Sequence, residues 1–137
     1  MRPRELVERW VDAFNRADAD ALAALYAEDA VNHQVAEHPV HGRAAIREMF
    51  LSEFLLTKMS CIPEHIFEDG EWAILEWRDR SGLRGCGFFQ VSGDKIVFNA
   101  DIGTSCRSSD CTICRPRPVE CRSLCRLIAG PVGKLCS

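Results

Sequence analysis

The sequence predicts an α+β fold in which three helices precede an antiparallel sheet. Two observations support this. The apolar residues change from helical spacing to alternation near residue 61. Beyond that point, turn-forming dipeptides separate the alternating segments at Asp69-Gly70, Ser81-Gly82 and Ser92-Gly93. Helices followed by strands favour an arrangement in which the helices pack on one face of the sheet.

Each predicted helix carries one apolar stripe. The first begins at Pro3, a residue suited to a first helical turn, and is broken at residues 15–17. The second is expected over residues 19–27, with Asp18 as its N-cap. The third is expected over residues 43–58.

One short strand is expected around residues 31–35, and four more form the sheet at residues 61–68, 71–80, 84–91 and 95–101. The second of these four is the most informative, because its alternation places large apolar groups on both faces. One face carries Trp72, Ile74, Glu76 and Arg78, and the other carries Ala73, Leu75 and Trp77. This pattern predicts a central strand that is covered on both sides.

Length and charge limit the classes of function. A chain of 137 residues is long enough for one domain with a real core. A formal net charge of −3 argues against nucleic acid as a partner, because an acidic surface repels phosphates. The first residues lack the apolar region of a secretory signal, and no apolar run approaches membrane-spanning length. We therefore expect a cytoplasmic protein that makes no contact with membranes.

The chain divides into two parts of opposite charge. Residues 1–103 contain 11 Lys and Arg against 18 Asp and Glu, whereas residues 104–137 contain six against two. Six of the eight cysteines also lie in the second part. We expect one domain over residues 1–103 and an atypical, irregular Cys- and Arg-rich tail over residues 104–137.

Several stretches of the first part match a known pattern. They are residues 5–15 (ELVERWVDAFN), 20–30 (DALAALYAEDA), 41–43 (HGR), 70–73 (GEWA), 85–89 (GCGFF) and 94–97 (DKIV). Together they resemble the SnoaL-like branch of the nuclear transport factor 2-like (NTF2-like) superfamily, and the resemblance covers about residues 3–98. It implies a cone-shaped fold, in which a curved antiparallel sheet wraps around a long helix and leaves a pocket at the open end.

The resemblance also implies a range of functions. Similar proteins include polyketide cyclases, ketosteroid isomerases, limonene epoxide hydrolases and scytalone dehydratases, and fold alone does not choose among them. We expect a small-molecule-binding protein acting on an apolar substrate as an isomerase, cyclase or hydrolase, by acid–base catalysis and without a cofactor. The alternative is a non-catalytic ligand-binding or dimerisation domain. The resemblance further implies a homodimer formed through the sheet.

Three residues are candidates for catalysis. Glu76 and Arg78 lie two apart on one strand face, where they could act as a base and an anion-orienting group. A structural ion pair is the alternative, because such pairs also perturb pKa values. The resemblance implies a third candidate, Asp101, at the position of the acidic residue that ends the last strand of SnoaL-type cyclases.

Five residues are candidates for ligand binding. Asn32 and His33 resemble polar positions that line the pocket in relatives, with a surface loop as the alternative. Tyr26, the one tyrosine, could donate a hydrogen bond into the pocket or sit at the edge of the core. Trp72 and Phe88 are expected in the pocket wall or the core.

No metal site is expected. Three histidines fall within nine residues, from His33 to His41, but they lack a regular ligand spacing. In the tail, Cys111-x2-Cys114 and Cys121-x3-Cys125 supply the four thiolates that tetrahedral zinc needs, although the intervening loop is shorter than usual. Disulfides are disfavoured without a signal peptide.

A shift of reading frame is a further hypothesis for the tail. Asp codons end in a pyrimidine and Cys codons begin with TG, so a frame displaced by two bases reads Leu across Asp110-Cys111. With permitted codons elsewhere, the displaced frame can read a last strand, a Trp-Asp pair and an amphipathic helix, as in the relatives.

The nucleotide sequence across codons 97–116 tests this hypothesis. We expect the displaced frame to be open and to encode the Trp-Asp pair followed by a helix of apolar periodicity. A stop codon there, or unrelated residues, would contradict the frame shift and leave an appended tail.

Overall fold

The computed structural model describes residues 1–35 and 37–103, and the structural statements below concern these residues. The predictions for the tail, including its irregularity and the zinc alternative, lie outside them. The helices are α1 (Pro3–Asn15), α2 (Ala19–Ala24) and α3 (Arg43–Leu56). The strands are β1 (Tyr26–Gln34), β2 (Val40–His41), β3 (Ile62–Asp69), β4 (Trp72–Arg78), β5 (Arg84–Ser92) and β6 (Lys95–Gly103).

The six strands form one curved, unclosed sheet in the order β2-β1-β6-β5-β4-β3. Neighbouring strands are antiparallel except β1 and β6, which are parallel. Three hairpins join β3 to β6 in sequence, and their turns fall at the predicted dipeptides. Gly70 and Gly93 take positive φ angles of 57° and 60° there, which few other residues adopt without strain. The α+β prediction is confirmed.

The predicted second helix is too long, and the strand after it too short. Helix α2 ends at Ala24, and β1 already begins at Tyr26. Tertiary pairing causes the difference, because Tyr26 aligns with Ile96 of β6 and the Ile96 amide donates to the Leu25 carbonyl at 2.9 Å. Helical periodicity in residues 19–27 is therefore overridden by pairing with a strand about seventy residues away.

Two smaller differences concern α3 and β2. Helix α3 ends at Leu56 because Thr57 is extended and its hydroxyl donates to the Glu53 carbonyl at 3.1 Å. Strand β2 was not predicted, since two residues are too few to show alternation.

The core lies between the helices and the inner face of the sheet. Trp10 and Phe14 of α1 stack at 5.1 Å, and Phe50 of α3 packs edge-on against both. Phe89 of β5 meets Trp10 from the sheet side, with ring centroids 5.4 Å apart. This aromatic cluster fixes the distance between the helices and the sheet.

A pair of side-chain hydrogen bonds holds the start of the sheet to α1. The Asn15 amide donates to the Cys61 carbonyl at 2.9 Å, and the Cys61 amide donates back to Asn15 Oδ1 at 2.8 Å. Cys61 is buried and unpaired, as a small core residue.

The outer face of β4 differs from the expectation of a strand covered on both sides. Ala73, Leu75 and Trp77 are buried beneath the helices, whereas Trp72 and Arg78 are exposed. Within the described residues, all three helices pack on the inner face. The apolar groups of the outer face are therefore a surface feature of this part of the chain.

Candidate functional site

A cavity of about 350 Å³ opens between α1, α3 and the inner face of the sheet. Its walls are mainly apolar, and the larger side chains that line it are Trp10, Phe14, Met49, Phe50, Leu56, Met59 and Trp77. Val35, Glu37 and His38 lie at its exposed mouth. A concave, largely apolar chamber with few polar groups is the usual form of a small-molecule site.

Trp77 occupies its place in the cavity wall because position 85 is glycine. A Cβ on Gly85 would lie 2.3 Å from Cζ2 of Trp77, closer than real Cβ contacts come. The indole of β4 therefore lies across the backbone of β5. From there it favours the ionised form of the Asp101 carboxyl group on β6.

Two carboxyl groups line the cavity from opposite sides. Asp101 reaches it from the inner face of β6, and Glu53 reaches it from α3. Burial raises the pKa of Glu53 to about 7. Burial also raises the pKa of Asp101 to about 7, where the negative charge of Glu53 adds to the effect and the Trp77 hydrogen bond opposes it. Both groups therefore titrate near neutral pH, as acid–base catalysts do.

The environment of Glu53 differs from that of Asp101 in one respect. The structure gives the Glu53 carboxyl group no hydrogen-bond or ion-pair partner among the described residues. No fully enclosed side-chain oxygen or nitrogen in this part of the chain lacks a partner, so the Glu53 carboxyl oxygens are open to the cavity. Water in the cavity, or a polar group of a ligand, can therefore reach these oxygens.

A buried polar network supports the cavity from below. The Trp10 indole donates to the Tyr26 hydroxyl at 2.9 Å, and that hydroxyl donates to Asn99 Oδ1 at 2.8 Å. Asn32 donates to the same Asn99 oxygen at 3.0 Å and accepts from Gln34 at 3.0 Å. Burial raises the pKa of Tyr26, so the phenol stays neutral and keeps its donor role. The network reaches the cavity through Trp10 and Gln34.

The structure places three predicted ligand-binding residues outside the wall of the cavity. Tyr26 and Asn32 are fully buried in the network and support the lining residues instead. His33 is partly buried, and its Nε2 contacts the Glu37 carbonyl at 3.0 Å.

Four other predicted residues lie on the outer face of the sheet, away from the cavity. Glu76 pairs with His65 at 3.0 Å, and Arg78 pairs with Glu64 at 3.4 Å. Each therefore contacts a partner on β3, and the described residues show no ion pair between Glu76 and Arg78 themselves. Trp72 packs against Phe98 on that same face, and Phe88 lines a shallow hollow there. Alternation explains the placement, because even-numbered residues of β4 and β5 point outward.

Asp101 is the predicted catalytic residue that the structure brings into the cavity. Glu53 was missed because helical periodicity alone gave it no distinction from other charged residues of α3. A signal was present, since Phe50, Glu53 and Phe54 follow at i, i+3 and i+4 and share one side of the helix. The closeness of Gly85 to Trp77 depends on strand register and left no trace in the sequence.

Two negative findings concern the described residues. In residues 1–35 and 37–103, no three His, Cys, Asp or Glu side chains are grouped as metal ligands would be. No helix of this region is long and apolar enough to cross a membrane.

The raised pKa of Glu53 predicts how stability depends on pH. Because the folded state holds the proton more tightly than the unfolded state, this group makes stability fall as pH rises from about 4.5 to about 7. Glu53→Gln should therefore raise the free energy of unfolding at pH 8 by on the order of 2 kcal/mol, with a gain that vanishes near pH 4. Denaturant unfolding at both pH values measures it. Glu76→Gln, on the outer face, is the matched control, and an equal gain there would contradict the assignment.

Comparison with known proteins identifies the family. The sequence profile of the SnoaL-like domain matches residues 7–99. Three solved structures are similar in fold. A putative polyketide cyclase from Sinorhizobium meliloti is 21% identical with a TM-score of 0.66, covering 72% of this chain and 94% of that one. The epoxide hydrolase/cyclase-like enzyme SalBIII, with a role in pyran ring formation in the polyether salinomycin, is 21% identical with a TM-score of 0.66, covering 74% and 90%.

The third is a hypothetical protein with a ketosteroid isomerase-like fold from Catenulispora acidiphila, solved in complex with trimethylamine. It is 17% identical with a TM-score of 0.65, covering 74% of this chain and 86% of that one. At these identities, the three structures show a shared fold. The profile match extends over more than half of the sequence, and the chain belongs to the SnoaL-like domain family.

Proposed function

We propose that this protein binds a small apolar molecule in the cavity and transforms it by cofactor-independent acid–base chemistry. The observation that carries the proposal is the pair of carboxyl groups, Glu53 and Asp101, which open onto one apolar cavity and have pKa values of about 7. Isomerisation, cyclisation and hydrolysis all need a proton removed at one atom and delivered at another.

Asp101 suits the role of base. The Trp77 indole favours the ionised form of its carboxyl group, which is the form that accepts a proton. A pKa of about 7 makes it a stronger base than an exposed aspartate, while a large fraction is still ionised at neutral pH.

Glu53 suits the role of acid. Its charge raises the pKa of Asp101, so ionisation of Glu53 disfavours ionisation of Asp101. The protonated member can donate to a carbonyl, alkoxide or epoxide oxygen while the ionised member accepts a proton.

The comparisons support this proposal without specifying a reaction. The similar structures include a putative polyketide cyclase and an epoxide hydrolase/cyclase-like enzyme, and another holds trimethylamine. The same fold thus occurs in proteins named as a cyclase and as an epoxide hydrolase/cyclase-like enzyme, and in one that holds a small amine.

Deuterium exchange tests the proposed chemistry without knowledge of the substrate. Apolar cyclic ketones incubated with the protein in D2O should gain deuterium at the carbon next to the carbonyl, as measured by NMR. Asp101→Asn should lower the exchange rate by about a hundredfold or more, because general base catalysis contributes roughly 10²–10⁴-fold.

Glu76→Gln is the control for this experiment, since it removes a carboxylate outside the cavity and should leave exchange unchanged. Thermal stabilisation by a ketone without any exchange would favour the alternative, a non-catalytic ligand-binding domain. Loss of exchange in Glu76→Gln but not in Asp101→Asn would overturn the assignment.

We also propose that the protein forms a homodimer through the outer face of the sheet. This face combines exposed apolar side chains with an ionic cluster of both signs. Phe67 is 55% exposed and Ile102 is 49% exposed, and both line the shallow hollow. Beside them, Glu64 lies between Arg78 and Arg84. A face carrying both charges can pair with its own copy about a two-fold axis, as an isologous interface requires.

Charge substitution on this face tests the dimer. Phe67→Lys combined with Ile102→Lys should convert a dimer into a monomer in light scattering, because it places charges in an apolar contact. Leu55→Lys changes an equally apolar residue that is 86% exposed on α3, so it should leave the mass unchanged. A monomeric wild-type protein would contradict the proposal.

The remaining expectations from the sequence stay predictions. They are a cytoplasmic location, no metal or other cofactor, and no nucleic acid partner. Burial raises the pKa of the Cys61 thiol to about 12, so this thiol stays protonated and unreactive.

A further inference from the structure

We infer that the ligand of the cavity carries a positive charge, as a quaternary ammonium or protonated amine attached to a small apolar body. The inference rests on the proposed function and specifies the substrate class of the same site. It follows from three properties of the cavity: the sign of its charged groups, the chemistry of its walls, and the unpartnered carboxyl group of Glu53.

The charged lining is almost entirely acidic. Among the described lining residues there are three carboxyl groups, on Glu37, Glu53 and Asp101, and no Lys or Arg. His38, at the exposed mouth, is the one described lining residue that can become cationic. A carboxylate, phosphate or sulfate ligand would meet repulsion and find no deep cationic partner among the lining residues that the structure describes.

The aromatic side chains in the cavity walls are the second feature that favours a cation. Trp10, Phe14, Phe50 and Trp77 all line the cavity. Aromatic rings attract cations through their negative faces, and tryptophan does so most strongly. An ammonium group with apolar substituents fits such walls, since the same rings also bury its carbon atoms.

The charge balance between ligand and site is favourable. Near neutral pH, burial leaves Glu53 and Asp101 each partly protonated and partly ionised. A monocation is attracted by the ionised fraction, and the protonated fraction stays available for acid–base chemistry. The Glu53 carboxyl, which has no partner among the described residues, gains one in the complex.

The pH dependence involves every titratable group facing the cavity. Glu37 and His38 come from the segment between β1 and β2, Glu53 from α3, Cys61 from the residue before β3, and Asp101 from β6. Below neutral pH, protonation of the two buried carboxyl groups competes with a cation. Cation affinity should therefore fall as the pH decreases below about 7.

Choline and 3,3-dimethylbutan-1-ol provide the test, because the two molecules have the same shape and differ by nitrogen in place of carbon. Choline has no titrating ammonium proton, so any effect of pH reports on the protein. Thermal shift and ligand-observed NMR on the full chain should give at least about tenfold tighter binding of choline at pH 7.5. The ratio of the affinity for choline to the affinity for the alcohol should fall several-fold at pH 5.5.

Variants assign the preference to the cavity. Glu53→Gln and Asp101→Asn should each reduce choline binding and leave the alcohol unaffected or stronger, whereas Glu76→Gln should change neither ligand. Equal or tighter binding of the alcohol would overturn the inference and leave small-molecule binding intact. A choline preference unaffected by both cavity variants would also overturn it. If neither ligand binds but cyclic ketones exchange deuterium, the amine class is wrong and the proposed function stands. If nothing binds and no exchange occurs, both the cationic-ligand inference and the proposed function are wrong.

Discussion

The parallel pairing of β1 with β6 is the contact on which the site depends. Its register sets Asn32 opposite Asn99 and Gln34 opposite Asp101. Because residues two apart share a face, one alignment directs both Asn99 and Asp101 inward. Asn99 then joins the buried network with Tyr26, and Asp101 enters the cavity wall. A slip of one residue would place both on the outer face.

This pairing also explains why a fully hydrogen-bonded residue and a residue whose charge is disfavoured by burial lie two positions apart on β6. Asn99 is fully satisfied, since it accepts from Tyr26 and Asn32 and donates to the Phe88 carbonyl at 3.1 Å. Asp101, two residues further along the strand, sits where burial opposes its charge. A rigid layer with satisfied hydrogen bonds beneath a partly desolvated one is how protein sites hold reactive groups in position.

The sequence was sufficient for the fold because its signals are local. Helix α1 begins at Pro3 and ends at Asn15 as expected, and the hairpin turns fall at the predicted dipeptides. The sequence predicted the site less well. Alternation correctly placed Glu76 and Arg78 on one face of β4, but it does not say which face the helices cover. Two contacts of the site join different strands, namely Tyr26 with Asn99 and Trp77 with Gly85. Both depend on strand register, which the sequence of one segment alone does not determine. Asp101 was found through family resemblance, and Glu53 required the helix to be docked on the sheet.

The bare backbone of β5 at Gly85 has an evolutionary consequence. The indole of Trp77 fills the space that a side chain at position 85 would need. The residues at positions 77 and 85 therefore compete for the same space between neighbouring strands. In evolution, a larger residue could replace Gly85 only after a smaller residue had replaced Trp77. The loss of Trp77 would remove the group that favours the ionised form of Asp101. Intermediate sequences would lose either packing or this effect on the acid. Substitutions that change ligand preference are therefore tolerated more easily in α3 and at the mouth of the cavity than in the paired strands behind it.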